Sequence, residues 1–216
     1  MTLEIDPSVV KWSDSGSLAG RPLLLLLHGY GQREGTLDTI ADAVAPEIVT
    51  AQLRGPRASR EPLPGGFGWT DVDANIIPVP GQPEESAAAF LRWLDAVIAE
   101  RGAPSSIGLA GFSQGAAFSL ALLREAPERW AAVVTLAGFW VPGTFAGEER
   151  LAQAQTPIFW GRSEHDFAIK PEYVDATRAA LAPFAPDAEH VYPGGTHQVL
   201  PEMVVDLAPF LREHLV

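Results

Sequence analysis

Ser106-Ile107-Gly108-Leu109-Ala110-Gly111-Phe112-Ser113-Gln114-Gly115-Ala116-Ala117-Phe118-Ser119-Leu120-Ala121 decides how the rest of this 216-residue chain is read. It opens on a short apolar run, Ile107 to Ala110, bounded by Ser and Gly, the pattern of a buried strand. It closes on an Ala/Leu-rich run through Leu123 whose apolar residues recur at helical spacing. Between them, Gly111-Phe112-Ser113-Gln114-Gly115 has the form G-x-S-x-G, with a strand before it and a helix after. A serine on so sharp a turn is held in strained backbone geometry with its hydroxyl proud of the sheet. A side chain at either glycine would collide with the neighbouring strand or helix. The helix N-terminus beside Ser113 supplies free N–H groups and a dipole that favour developing negative charge. Ser113 is therefore the candidate nucleophile. With 20 Gly in the chain the bare pattern carries little weight, so the reading depends on what surrounds it.

Outward from this stretch, strand-like and helix-like segments alternate. Residues 22–27 form an unbroken apolar run, which suits a central strand covered on both faces. A short helix is expected over 35–46, with Leu37, Ile40, Ala41 and Val44 on one face, and a strand over 48–53. The clearest helix spans 84–101: Ala87, Phe90, Leu91, Leu94, Val97 and Ile98 make one stripe, acidic residues open it and Gly102 ends it. Further strands are expected over 130–136, 157–160 and 190–192, and further helices over 171–181 and 202–215. Residues 3–12 alternate loosely, as one or two short edge strands would, and 13–20 read as a turn. Residues 54–82 change to Pro, Gly and isolated aromatics, and so long a loop in a compact domain is functional or a lid. The alternation predicts an α/β fold over a single domain, 1–216, with a mostly parallel central sheet and helices on both faces. Chemistry in such sheets lies at the carboxyl ends of the strands.

Composition narrows the function classes. A hydrophobic content of 47% with 19% charged residues describes a globule with a real core. A net charge of −12 argues against nucleic acid and anionic membrane surfaces as partners. The absence of Cys excludes disulfides, thiolate metal sites and a cysteine nucleophile. No basic-then-apolar leader opens the chain, and its longest pure apolar run, Leu23 to Leu27, is far too short to cross a bilayer. A cytoplasmic location without stable membrane insertion is expected.

A serine hydroxyl needs a base, and the base needs an orienting acid; in this kind of sheet they follow in the order Ser, acid, His. After the strand at 157–160 comes Gly161-Arg162-Ser163-Glu164-His165-Asp166, which offers Asp166 as the acid and Glu164 as its rival. His197, in Tyr192-Pro193-Gly194-Gly195-Thr196-His197, follows the last strand on a glycine-rich loop able to carry an imidazole across the sheet. His190 falls within a strand, while His165 and His214 read as surface residues. No His pair at i,i+4 supports a metal site, and no metal or cofactor is expected. An oxyanion needs two backbone donors. Gln114 N–H is one, and Tyr30 N–H, in the His28-Gly29-Tyr30-Gly31 loop after the Leu-rich strand, is the candidate for the other. His28 reads as a hydrogen-bonder that holds this loop.

Leu27-His28-Gly29-Tyr30-Gly31, Gly111-Phe112-Ser113-Gln114-Gly115-Ala116, the 161–171 loop and Gly195-Thr196-His197 together resemble the phospholipase/carboxylesterase family of α/β-hydrolases. The resemblance runs from about Pro22 to the C-terminus and leaves no room for a separate cap domain. Phe67-Gly68-Trp69 is similar to the aromatic loop that the family carries. Thr196 stands where relatives have Gly, and Ala137-Gly138 where Ser-Gly is common. The resemblance implies a minimal α/β-hydrolase fold and favours Asp166 over Glu164 by spacing. It also implies hydrolysis of a small-molecule carboxylic ester or thioester, with lysophospholipids as a further substrate class. A peptidase, or a hydrolase-fold binding protein without catalysis, are the other readings. Trp69, Phe139 and Trp140 are expected to line a pocket for a short to medium acyl chain, walled by the 54–82 loop and the segment after Phe139.

Overall fold

The computed structural model describes residues 2–73 and 77–216. The Leu-rich run forms β2 (Pro22–Leu27), and its alternation shows how the core is divided. Successive side chains of a strand point to opposite faces. Leu23, Leu25 and Leu27 enter one apolar cluster and Leu24 and Leu26 the other, all essentially without solvent contact. At roughly 1.5–3 kcal/mol per fully buried leucine, this one strand contributes on the order of 10 kcal/mol to the core's driving force.

Around β2 the chain lays down β1 (Lys11–Trp12), α1 (Asp38–Val44) and β3 (Val49–Leu53), followed by a small ribbon of β4 (Arg57–Ala58) and β5 (Phe67–Gly68). Then come α2 (Gln82–Arg101), β6 (Ser106–Phe112), α3 (Gln114–Glu125) and β7 (Ala132–Leu136). The chain ends with the short α4 (Leu151–Ala154), β8 (Ile158–Ser163), α5 (Pro171–Leu181), β9 (Glu189–Tyr192) and α6 (Pro201–Leu215). The main sheet has seven strands in the order β1-β3-β2-β6-β7-β8-β9, and every pairing is parallel except that of β1 with β3. Buried residues of α2 and α3 cover one face and those of α1 and α6 the other. This is a minimal α/β-hydrolase fold, and no inserted cap stands apart from it among the described residues.

Several boundaries differ from the sequence pattern for identifiable reasons. Residues 3–12 yield only the two-residue β1, because Pro7–Val9 closes into a 3₁₀ turn whose Ser8 N–H donates to the Asp6 side chain. The long helix starts two residues earlier than its charges suggest, at Gln82, with Pro83 in the first turn, where its missing N–H is no loss. Its buried face also takes in Trp93, which stacks on Trp12 at 6.2 Å. The 54–82 loop is not loose. Gly31 N–H donates to Phe67 O at 2.9 Å and Phe67 N–H to Gln32 O at 2.8 Å, clamping the ribbon onto the loop after β2. Gly66 permits the approach, since a Cβ there would lie 1.9 Å from Gly31 O. Residues 74–76 of this loop lie outside the described residues.

β2 and β6 lie side by side, but the chain departs from them in opposite directions, to β3 on one side and to β7, β8 and β9 on the other. A crevice opens at the carboxyl ends where the order reverses. The loops after β2, β6, β8 and β9 all converge there.

Candidate active site

Ser113 sits between β6 and α3 at φ 54° and ψ −118°, a backbone conformation that non-glycine residues rarely adopt. Two close approaches enforce it. A Cβ on Gly111 would lie 2.3 Å from Gly115 O, and one on Gly115 would lie 2.0 Å from Leu27 O, so α3 presses against both β6 and the end of β2. Ser113 N–H donates to Leu136 O at 2.9 Å, tying the turn to β7 as well.

From Ser113 a chain of hydrogen bonds runs across the crevice. Ser113 Oγ is 2.8 Å from His197 Nε2, and His197 Nδ1 is 2.8 Å from Asp166 Oδ2 and 3.1 Å from Oδ1. Asp166 Oδ1 also accepts the N–H groups of Ala168 at 2.8 Å and Ile169 at 3.1 Å. Burial opposes ionisation of Asp166, but the hydrogen bonds from His197, Ile169 and Ala168 outweigh it and hold its pKa below the usual carboxylate value. An ionised Asp166 requires His197 Nδ1 to carry the proton, which leaves Nε2 free to accept from the Ser113 hydroxyl. Glu164, the rival acid, is exposed and outside this chain of bonds, as is His165. His190 stacks on Phe159 at 4.1 Å, and the half-buried His214 lies edge-on to Phe210 at 4.7 Å.

The Tyr30 and Gln114 N–H groups have no protein acceptor among the described residues, and both residues line the cavity that holds Ser113. The Gln114 side chain serves the scaffold instead. Its Oε1 accepts Trp69 N–H at 2.8 Å, and its Nε2 donates to Thr70 O at 2.9 Å and Thr70 Oγ1 at 3.0 Å. His28 is likewise structural: its Nδ1 donates to Gly29 O at 2.8 Å and its Nε2 accepts Gly55 N–H at 2.9 Å. Burial drives its pKa down to about 4, so it stays neutral.

The cavity over Ser113 has a volume of about 410 Å³. Of the three aromatics expected in its wall, only Phe139 lines it. Trp69, expected in the wall, is instead wholly buried, donates Nε1–H to His28 O at 2.8 Å and stacks on Phe118 at 4.9 Å, so it belongs to the core. Trp140 is a second correction. Its ring lies 4.5 Å from the guanidinium of the buried Arg124, and its backbone N–H donates to Thr177 Oγ1, so it helps to hold the segment after β7 in place. Arg124 itself donates to Val141 O at 2.6 Å and Gly143 O at 2.8 Å and pairs with Glu148.

The remaining wall comes from residues that composition does not single out: Pro62, Leu63 and Ile77 from the 54–82 loop, and Phe167, Ile169 and Tyr173 around the acid. The second group is signalled by its closeness to Asp166 in sequence, and the first only by lying in the 54–82 loop expected to wall the site. Ala137 lines a separate, more polar cavity of about 250 Å³ that also touches Asp166, Arg162 and Arg178, rather than the cavity over Ser113. Among the described residues no cluster of three or more His, Asp and Glu side chains is arranged to hold a metal ion, and no helix is long and apolar enough to cross a membrane.

Comparison with known proteins points the same way. The model of the family described as Phospholipase/Carboxylesterase matches residues 14–215. A probable carboxylesterase of Oryza sativa subsp. japonica is 26% identical over 90% of this chain and 78% of its own. Acyl-protein thioesterase 1 of Saccharomyces cerevisiae is 31% identical over 52% of this chain and 51% of its own. Among solved structures, esterase PE8 superposes with a TM-score of 0.76 at 20% identity over the whole of both chains. The Bacillus cereus carboxylesterase gives 0.76 at 19% identity, over 97% of this chain and 96% of its own. At such identities the structural likenesses establish the fold.

Proposed function

The chain belongs to the phospholipase/carboxylesterase family, and on that premise we propose that it is a single-domain serine carboxylesterase acting on small carboxylic esters through an acyl-enzyme. The observation that carries this reading is the unbroken hydrogen-bonded chain Asp166–His197–Ser113, ending on a strained serine at the floor of a cavity.

In this reading Ser113 Oγ attacks the ester carbonyl while His197 Nε2 takes its proton, and Asp166 orients the ring and stabilises the imidazolium. The carbonyl oxygen, becoming an oxyanion, is met by the N–H groups of Tyr30 and Gln114; one such donor is worth about 3–4 kcal/mol of transition-state stabilisation. His197 then returns the proton to the departing alcohol. Water deprotonated by the same nitrogen releases the acid. Nothing in these steps calls on a cofactor. Thioesters would follow the same route, and the relatives named acyl-protein thioesterase support them as the second substrate class. Phe139, alone of the three aromatics expected in the wall, lines the cavity and limits the acyl chain, with short to medium chains preferred.

The test is covalent. A fluorophosphonate probe is expected to add its mass to Ser113, and Ser113→Ala is expected to abolish both labelling and ester hydrolysis while circular dichroism and Tm stay those of the folded protein. Labelling at another serine overturns the assignment.

A further inference from the structure

Phe167 follows the proposed acid directly and has no place in the mechanism above, yet its position is specific. It is 79% exposed, the most exposed large apolar side chain among the described residues, and it lines the cavity over Ser113. Its ring meets His197 edge-on, with centroids 6.3 Å apart and planes at 62°. The other aromatic neighbour of that imidazole, Phe112, is buried. The backbone that carries Phe167 is tied to the site. The N–H groups of the next two residues, Ala168 and Ile169, both bind the Asp166 carboxylate that orients His197. Leu63, 52% exposed, lines the same cavity, so the mouth carries apolar surface from two separate loops.

The direction of proton transfer says which part of a substrate passes Phe167. His197 Nε2 must hand its proton to the leaving oxygen, which therefore sits within hydrogen-bond reach of that nitrogen. The carbonyl oxygen is drawn the other way, to the N–H groups of Tyr30 and Gln114. The carbon skeleton of the alcohol thus leaves the site alongside the imidazole, where Phe167 presents a free aromatic surface. We infer that Phe167 recognises the alcohol half of the ester, and that the enzyme favours esters of alcohols bearing an aromatic or bulky apolar group. This rests on the serine-esterase reading above.

Benzyl butyrate and methyl butyrate test it, because both deliver the same butyryl group to Ser113. Phe167→Ala is expected to lower the benzyl-to-methyl ratio of kcat/KM about fivefold, as loss of one aromatic contact would, and Phe167→Tyr to restore it. The change belongs to acylation. Hydrolysis of the butyryl-enzyme, followed by mass spectrometry after a rapid quench, should proceed at the wild-type rate, since the alcohol has already departed. A ratio that does not move, or a deacylation rate that falls with it, overturns the assignment of Phe167. Absence of a butyryl adduct on Ser113 in the quenched wild type would instead overturn the reading on which it rests.

Discussion

Two loops at the same edge of the sheet each present a histidine, and the two imidazoles share a tautomer. After β2, His28 donates from Nδ1 to Gly29 O and accepts at Nε2 from Gly55 N–H. After β9, His197 faces the Asp166 carboxylate with Nδ1 and the Ser113 hydroxyl with Nε2. The difference lies in the partners. An amide N–H does not surrender its proton, and a backbone carbonyl brings no charge to stabilise an imidazolium. Burial then forces His28 to stay neutral, with its pKa down at about 4. His197 has a carboxylate behind it, a transferable proton in front and a cavity beside it. The same ring is a strut in one loop and a candidate base in the other.

Substitution should separate the two most sharply. His197→Ala is expected to cost about 10⁶ in kcat with little change in Tm, as removal of the base does in a serine protease. His28→Ala strands Gly55 N–H and opens a cavity, so about 3 kcal/mol of stability should go, a fall in Tm of roughly 6–12 °C. Activity and thermal unfolding measured on both variants check this. A His28→Ala variant that is fully stable but inactive would break the distinction.

The carboxylate is the next point of comparison. Asp166→Asn should lower kcat by about 10⁴, because an amide no longer enforces the tautomer. Glu164→Gln, on the same loop but exposed, should change it less than twofold. Steady-state kinetics of the pair decide the matter, and equal losses would remove Asp166 from its proposed role.

The smallest effect concerns pH. An imidazole in the unfolded chain takes up a proton near 6.5, whereas folded His28 does so only at about 4. Between those values the unfolded state binds more protons, so stability is present in full above pH 6.5 and is lost as pH falls towards 4. The share due to His28 should reach about 2 kcal/mol between pH 8 and pH 5. Urea unfolding at the two pH values measures it, and His28→Gln should flatten the dependence by that amount.

Much of this was legible in the chain because it is encoded locally. Five consecutive leucines call for a strand buried on both faces, and β2 has them in both core clusters. The spacing of Gly111, Ser113 and Gly115 is a steric requirement, and the contacts of 2.3 Å and 2.0 Å that a Cβ would make show which backbone imposes it. Chain order likewise brings Ser113, Asp166 and His197 to the ends of β6, β8 and β9. The pocket wall was not legible in this way. Trp69 and Trp140 look like wall residues by type, yet one is sealed against Phe118 and the other packs on Arg124.

The sequence by itself therefore determined the order of the central strands and the long helices that flank them, the sharp turn at Ser113 and the candidate residues for proton exchange there. Each of these depends on neighbours in the chain: alternation along a strand, the absence of a Cβ, the order of loops along one edge of a sheet. Tertiary structure alone decided which aromatic side chains face the cavity, that Gln114 spends its side chain on Trp69 and Thr70, and that Leu63 and Phe167 line one cavity. Those depend on where residues far apart in sequence are brought together. A side chain's type says only that it is apolar, and both a sealed core and an open cavity accept apolar groups.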